Sequence, residues 1–151
     1  MPERGAAYGI SITRVFDAPR EHVWREWTDP AAFADWFGGP TSEVPLETVS
    51  MDVRPGGRWR LTMFAQPNRR EIHWKGEYVE VTEPERLVFT VTDQPDPGRY
   101  EIVTVVLVDL GEGRTEMQFA QHGGTLGPDE YERAKQGWSG FFDRIEERLA
   151  G

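Results

Sequence analysis

The spacing of apolar positions changes twice along this chain, separating helical ends from a β-rich middle. From Pro128 to Leu149, the residues Tyr131, Ala134, Trp138, Phe141, Phe142, Ile145 and Leu149 recur three or four apart, with charges between them. That is the pattern of an amphipathic helix with one apolar face. Pro128 suits a first helical position, Asp129 and Glu130 favour the positive end of the helix dipole, and Arg148 falls in the last turn. Such a helix spans roughly 30 Å at about 1.5 Å per residue. Its stripe of one Trp and two Phe needs a broad apolar surface to lie against.

The preceding segments predict that surface. Tyr8 to Asp17 alternates and is partly β-branched, which reads as a first strand. Ala18-Pro19 breaks it, and Val23, Trp24 and Trp27 then share one face of a short helix that starts near Pro19. Pro30 opens a second short helix with Phe33, Trp36 and Phe37 apolar, ended by Gly38-Gly39-Pro40. From there the period becomes two. Strands are predicted at Leu46–Arg54, Arg58–Ala65, Ile72–Val81, Leu87–Thr92, Tyr100–Leu110 and Thr115–Gln121, with Pro- and Gly-rich turns between them. Connections this short leave no room for crossover helices, so consecutive strands must form an antiparallel meander. Helices at the ends of such a sheet define an α+β class. No repeat or linker divides the chain, so residues 8–150 are expected to form one domain after a disordered segment at 1–7.

Composition narrows the function. Seventeen basic residues against 26 acidic ones give a net charge of −9, which excludes nucleic acid as a general partner. Six Trp and 12 % aromatic residues exclude a disordered acidic chain. The absence of cysteine excludes disulfides, thiol catalysis and Cys-ligated zinc. No stretch approaches the roughly 18 apolar residues of a membrane span, and MPERGAAYG has no apolar run of a signal peptide. A cytoplasmic location is the expectation.

Several stretches together carry a family resemblance: RVFDAPREHVWREWTDP at 14–30 with Trp36 after it, DVRPGGRWRL at 52–61, GEYVEVTEPERLVFT at 76–90, GRTEMQF at 113–119 and GWSGFFDRIEERL at 137–149. In this order they resemble the activator-of-heat-shock-protein-90-ATPase homologue family, within the START-like (SRPBCC) superfamily. The resemblance implies a helix-grip fold, a curved antiparallel sheet of about six to seven strands around the C-terminal helix, with a cavity between the two. It also implies a range of roles, from co-chaperone domains and small-ligand carriers to self-sacrificing resistance proteins and polyketide cyclases.

By alternation, Trp59, Leu61, Met63, Phe89, Val91, Met117, Phe119 and Gln121 should face the helix. Trp138 and Phe142 read equally as core or as cavity wall, and Trp36 as core or as gate. Gln121 continues an apolar row with an amide that needs a partner if buried. His73 and Trp74 point to opposite faces of one strand, and an inward His could bind a ligand or act as a base. His22 and His122 read as exposed, and the three histidines make no metal site. Ser139 misses the nucleophile-elbow pattern and lies within a helix. Arg14, Arg58 and Arg60 read as outer-face charges paired with Glu. Gly137 and Gly140 in mid-helix suggest close backbone approach to sheet or ligand, or a bend.

The expected function is binding of a small hydrophobic or aromatic molecule between sheet and helix, without catalytic residue, metal or cofactor. A chaperone-interaction module using an outer surface is one alternative. A cyclase or hydrolase using His73 or Gln121 is the other. A homodimer is left open.

Overall fold

The computed structural model describes residues 9–39, 41–93 and 100–150, so the segment expected to be disordered lies outside the described residues. The elements are β1 (Gly9–Phe16), α1 (Arg20–Thr28), α2 (Pro30–Trp36), β2 (Ser42–Glu43), β3 (Ser50–Met51), β4 (Arg58–Ala65), β5 (Arg70–Thr82), β6 (Arg86–Val91), β7 (Glu101–Gly111), β8 (Arg114–His122) and α3 (Pro128–Ala150). The sheet order is β1-β8-β7-β6-β5-β4-β2, with β3 also on β4, and every pairing is antiparallel. The expected meander is therefore present from β4 to β8, and β1 closes on β8 as the edge beside α3. This is the helix-grip α+β fold.

The predicted strand at Leu46–Arg54 is a correction. Only Ser50 and Met51 pair with β4, and Leu46–Thr48 forms a turn of 3₁₀ helix. The physical reason is local capture of Thr48. Its hydroxyl donates to Pro45 O at 2.7 Å and accepts from Thr62 N at 3.1 Å, taking a position that a ladder bond would otherwise fill. The two-residue β2 carries no alternation long enough to be visible in the sequence.

The curvature is concentrated in β5. Residues Arg70 to Glu77 pair with β4, whereas Tyr78 to Thr82 pair with β6, and the register shifts between Tyr78 and Glu80. The extra residue, Val79, is exposed, as expected of a bulge that turns a strand. Gly76 sits at the same corner. A Cβ there would overlap the Thr90 carbonyl oxygen, which the Trp59 indole N–H reaches at 3.0 Å. Only glycine lets the strands cross this closely.

The concave face carries the rows predicted from alternation. Trp59, Leu61 and Met63 on β4, Leu87, Phe89 and Val91 on β6, Val103, Val105 and Leu107 on β7, and Met117, Phe119 and Gln121 on β8 are all buried. On β1 the same period puts Arg14 in the inward row with Ile12 and Phe16, against the expectation of an outer-face charge. It meets α3 there, bonding Asp143 at 2.8 Å and the Ser139 carbonyl at 3.2 Å. Arg58 and Arg60 do face outward.

Trp27 of α1 stands at the centre of the core. Its ring lies 6.2 Å from both Phe119 and Trp138 in stacked orientation and 4.8 Å from Trp36 edge-on. Trp138, Phe142 and Ile145 of α3 complete this block, each contributing about 1.5–3 kcal/mol by burial. The far end of α3 is tied by charge. Arg148 bonds Glu26 at 2.6 Å and Asp35 at 2.5 Å, and Arg144 adds a bond to Asp35 at 2.8 Å. Burial pushes the Asp35 carboxyl up, but the Arg148 hydrogen bond and the Arg144 charge outweigh it and hold the group below its usual value.

Two expectations follow. Gly76→Ala should destabilise the fold by about 1–3 kcal/mol in urea unfolding, because the added methyl forces the β5 corner apart. Wild-type stability would mean that the corner opens without cost. Asp35 has a depressed folded-state pKa, so its contribution is present above the unfolded value of 3.8 and is lost as pH falls through the folded value. Asp35→Asn should therefore be less stable than wild type at neutral pH, with the difference shrinking below about pH 4. A difference that stays constant into strong acid would remove the role given to this ion pair.

Candidate functional site

The aromatic block fills the space under the C-terminal half of α3 but not under its N-terminal half. There a cavity of about 510 Å³ lies between the helix and the ends of β4 to β8. Its apolar walls are Phe37, Met63, Trp74, Val91, Trp138 and Phe141. Four of these are aromatic, and Phe37 lies 5.9 Å from Trp74, 5.9 Å from Trp138 and 5.5 Å from Phe141. Tyr100, Glu130 and Gly137 also border the cavity and are exposed, so it opens to solvent on their side. Two other hollows, of about 500 and 530 Å³, are open grooves whose linings include exposed charged residues such as Glu132 and Lys135, or His22 and Arg25. Neither has an aromatic wall like that of the first.

Five residues expected at the site line this cavity: Met63, Trp74, Val91, Gln121 and Trp138. Trp36, Trp59, Leu61, Phe89, Met117, Phe119 and Phe142 face the same interior but are consumed by the core, each at most 3 % exposed. Trp36 is thus no gate; its indole N–H donates to Glu26 O at 2.7 Å beneath α1. Phe141, one position before Phe142, is the phenylalanine that reaches the cavity. The helix turns about 100° per residue, so only one of two adjacent rings can face the filled core.

Pairing settles the His73 and Trp74 alternative. Trp74 points inward, whereas His73 is exposed on the outer face, 2.9 Å from Glu71 and 3.3 Å from the Thr62 hydroxyl. His73 is therefore outside the site. Two buried indole N–H groups, those of Trp27 and Trp74, have no acceptor among the described residues. The Trp74 group belongs to the cavity wall, where a bound molecule could supply the missing acceptor. Nothing in the structure accounts for Trp27.

A polar chain closes the deep end. The Trp138 indole N–H donates to Gln121 Oε1 at 2.7 Å, and Gln121 Nε2 donates to Glu101 Oε1 at 3.2 Å. Glu101 Oε2 accepts from Thr125 N at 3.0 Å, from the Thr125 hydroxyl at 2.6 Å and from the Tyr131 hydroxyl at 3.1 Å. Glu101 is 5 % exposed and Gln121 6 %. Burial first, then the bond to Glu101, holds the Tyr131 phenol above its usual range, so it stays a donor. Gln121 was visible in the sequence as an amide in an apolar row. Glu101 was not, because a lone acid beginning a strand is indistinguishable from a surface charge.

The expectation that glycine brings the α3 backbone against the sheet finds no support in packing. A Cβ at Gly137 or Gly140 would meet nothing within 4 Å. At Gly137, on the cavity border, the missing side chain leaves open space. Among the described residues, no group of three or more His, Asp or Glu is placed to hold a metal ion. No helix among them is long and apolar enough to cross a membrane.

Gln121→Leu should keep the shape of the site but strip partners from the Trp138 N–H and from Glu101. The expected loss is about 1–3 kcal/mol in denaturant unfolding, together with a shift in tryptophan emission. Unchanged stability would show that the chain is not needed to satisfy these buried groups.

The fold has clear counterparts. Protein CV1439 from Chromobacterium violaceum superposes with a TM-score of 0.82 at 26 % identity, over 95 % of this chain and 98 % of that one. The AHSA1 protein from Silicibacter pomeroyi gives 0.80 at 21 % identity, over 94 % and 97 %. The AHSA1-like protein from Aeromonas hydrophila gives 0.75 at 24 % identity, over 93 % of each chain. No curated protein sequence matches significantly. The family model for activator of Hsp90 ATPase homolog 1-like proteins matches residues 17–150, and the chain belongs to that family.

Proposed function

We propose that this protein binds a small, largely apolar aromatic molecule in the cavity under the N-terminal half of α3. The observation that carries the proposal is the cavity itself, about 510 Å³ with five aromatic side chains in its lining. That volume falls within the roughly 300–1,000 Å³ of small-molecule sites, which pair apolar walls with a few placed polar groups. Here the polar groups are the Trp74 N–H and the Glu101–Gln121 chain. A purely structural interior would be filled, because a void loses dispersion contacts along its lining. An enzymatic reading in the same space would need an available acid or base. The described cavity lining contains no histidine, Gln121 has both ends of its amide engaged, and the buried acid, Glu101, is held by four hydrogen bonds. A chaperone-interaction role, which the family description suggests, would use an outer surface and gives no reason for this cavity.

Gly137 supplies the test. Glycine in a helix interior costs about 1 kcal/mol relative to alanine, and no packing at this position requires it. Gly137→Ala should raise stability by up to that amount. Gly137→Leu should extend into the cavity and weaken binding of an aromatic probe, such as an anilinonaphthalene sulfonamide dye, by about tenfold or more. A probe that binds both variants as it binds wild type, or fails to bind wild type, would overturn the proposal.

A further inference from the structure

The charge around the cavity points to the chemical class of its occupant, and this inference rests on the binding function proposed above. Glu101 is a buried acid bordering the cavity. Among the described residues it takes part in four hydrogen bonds, with the Gln121 amide, the Thr125 N–H, the Thr125 hydroxyl and the Tyr131 hydroxyl. Every one of these donors is neutral. Buried carboxylates ordinarily lie against a cation, because neutral hydrogen bonds only partly replace the solvation that burial removes. Among the described residues, Glu101 has no Lys, Arg or His partner, and none of the residues bordering the cavity is basic.

The donors are also unevenly placed. Three converge on Oε2, whereas Oε1 accepts only the longer bond from Gln121, leaving Oε1 the oxygen with capacity to accept more. Phe37, Trp74, Trp138 and Phe141 wall the same cavity, and aromatic faces attract cations through their quadrupole. We infer that the cavity selects a ligand with a protonated amine or quaternary ammonium on an aromatic or hydrocarbon body, the cationic nitrogen lying toward Glu101. Molecules of the same shape ending in a carboxylate are disfavoured, since they would bring a second negative charge beside Glu101 in a poorly solvated space.

Three probes with one naphthalene body test this: 2-naphthylmethylammonium, 2-naphthylmethanol and 2-naphthoate, titrated calorimetrically into the whole chain near neutral pH. The ammonium should bind most tightly and the carboxylate least, the two separated by at least about tenfold. Glu101→Gln should reduce the ammonium to the affinity of the alcohol and leave the alcohol unchanged. Glu130→Gln, at the exposed border, should leave the ordering in place. The wild-type series decides the charge preference even if Glu101→Gln fails to fold. A carboxylate that binds as tightly as the ammonium overturns the inference. So does a preference that survives Glu101→Gln or disappears in Glu130→Gln. If the alcohol still binds in those cases, the cavity remains a binding site and only its charge selectivity fails. If none of the three binds wild type, the selectivity and the binding function fall together.

Discussion

The structure depends on how one aromatic stripe is seated. Trp138 and Phe142 of α3 meet Phe119 of the sheet, at 4.7 and 5.1 Å between ring centroids, and Trp27 of α1 packs against all three. This contact sets the height of the helix above the concave face. Arg148 and Arg14 then fix its direction, one through Glu26 and Asp35 and the other through Asp143. With its C-terminal half packed and its flank tied to β1, the helix leaves its N-terminal half standing over unfilled space.

The position of the cavity follows from that arrangement. Tryptophan and phenylalanine crowd the middle of the chain's interior, whereas the part of α3 above the cavity presents Ala134 and Gly137. Small residues on the helix at this point leave the space beneath it unfilled. The chain of Trp138, Gln121, Glu101, Thr125 and Tyr131 marks the boundary between packed core and cavity. Each member satisfies a buried polar group of the next, and so the chain holds a carboxylate where an apolar side chain would otherwise close the interior.

Much of the site was legible only in outline. Inward direction on each long strand followed from alternation, which is why the rows through Trp59, Phe89 and Phe119 were found together. Separating core from wall was a different matter. Phe141 and Phe142 are chemically identical neighbours, and which one meets the cavity depends on the rotation of α3 about its axis. The same holds for Arg14, whose charge suggested the solvent face although its place in the row with Ile12 and Phe16 put it under the helix. Glu101 became significant only when the stretch from Gln121 to Tyr131 folded back over it.

The sequence by itself determined the helices, the long strands of the meander, their antiparallel order and the inward rows of β4, β6 and β8. These follow from backbone periodicity and short connections, which act between near neighbours. Tertiary structure alone decided the corner at Gly76, the outward side of His73, the burial of Glu101 and the space beneath Gly137. Each of these depends on where two elements far apart in the chain come to rest against each other, and that is a sum of packing contacts that no local pattern encodes.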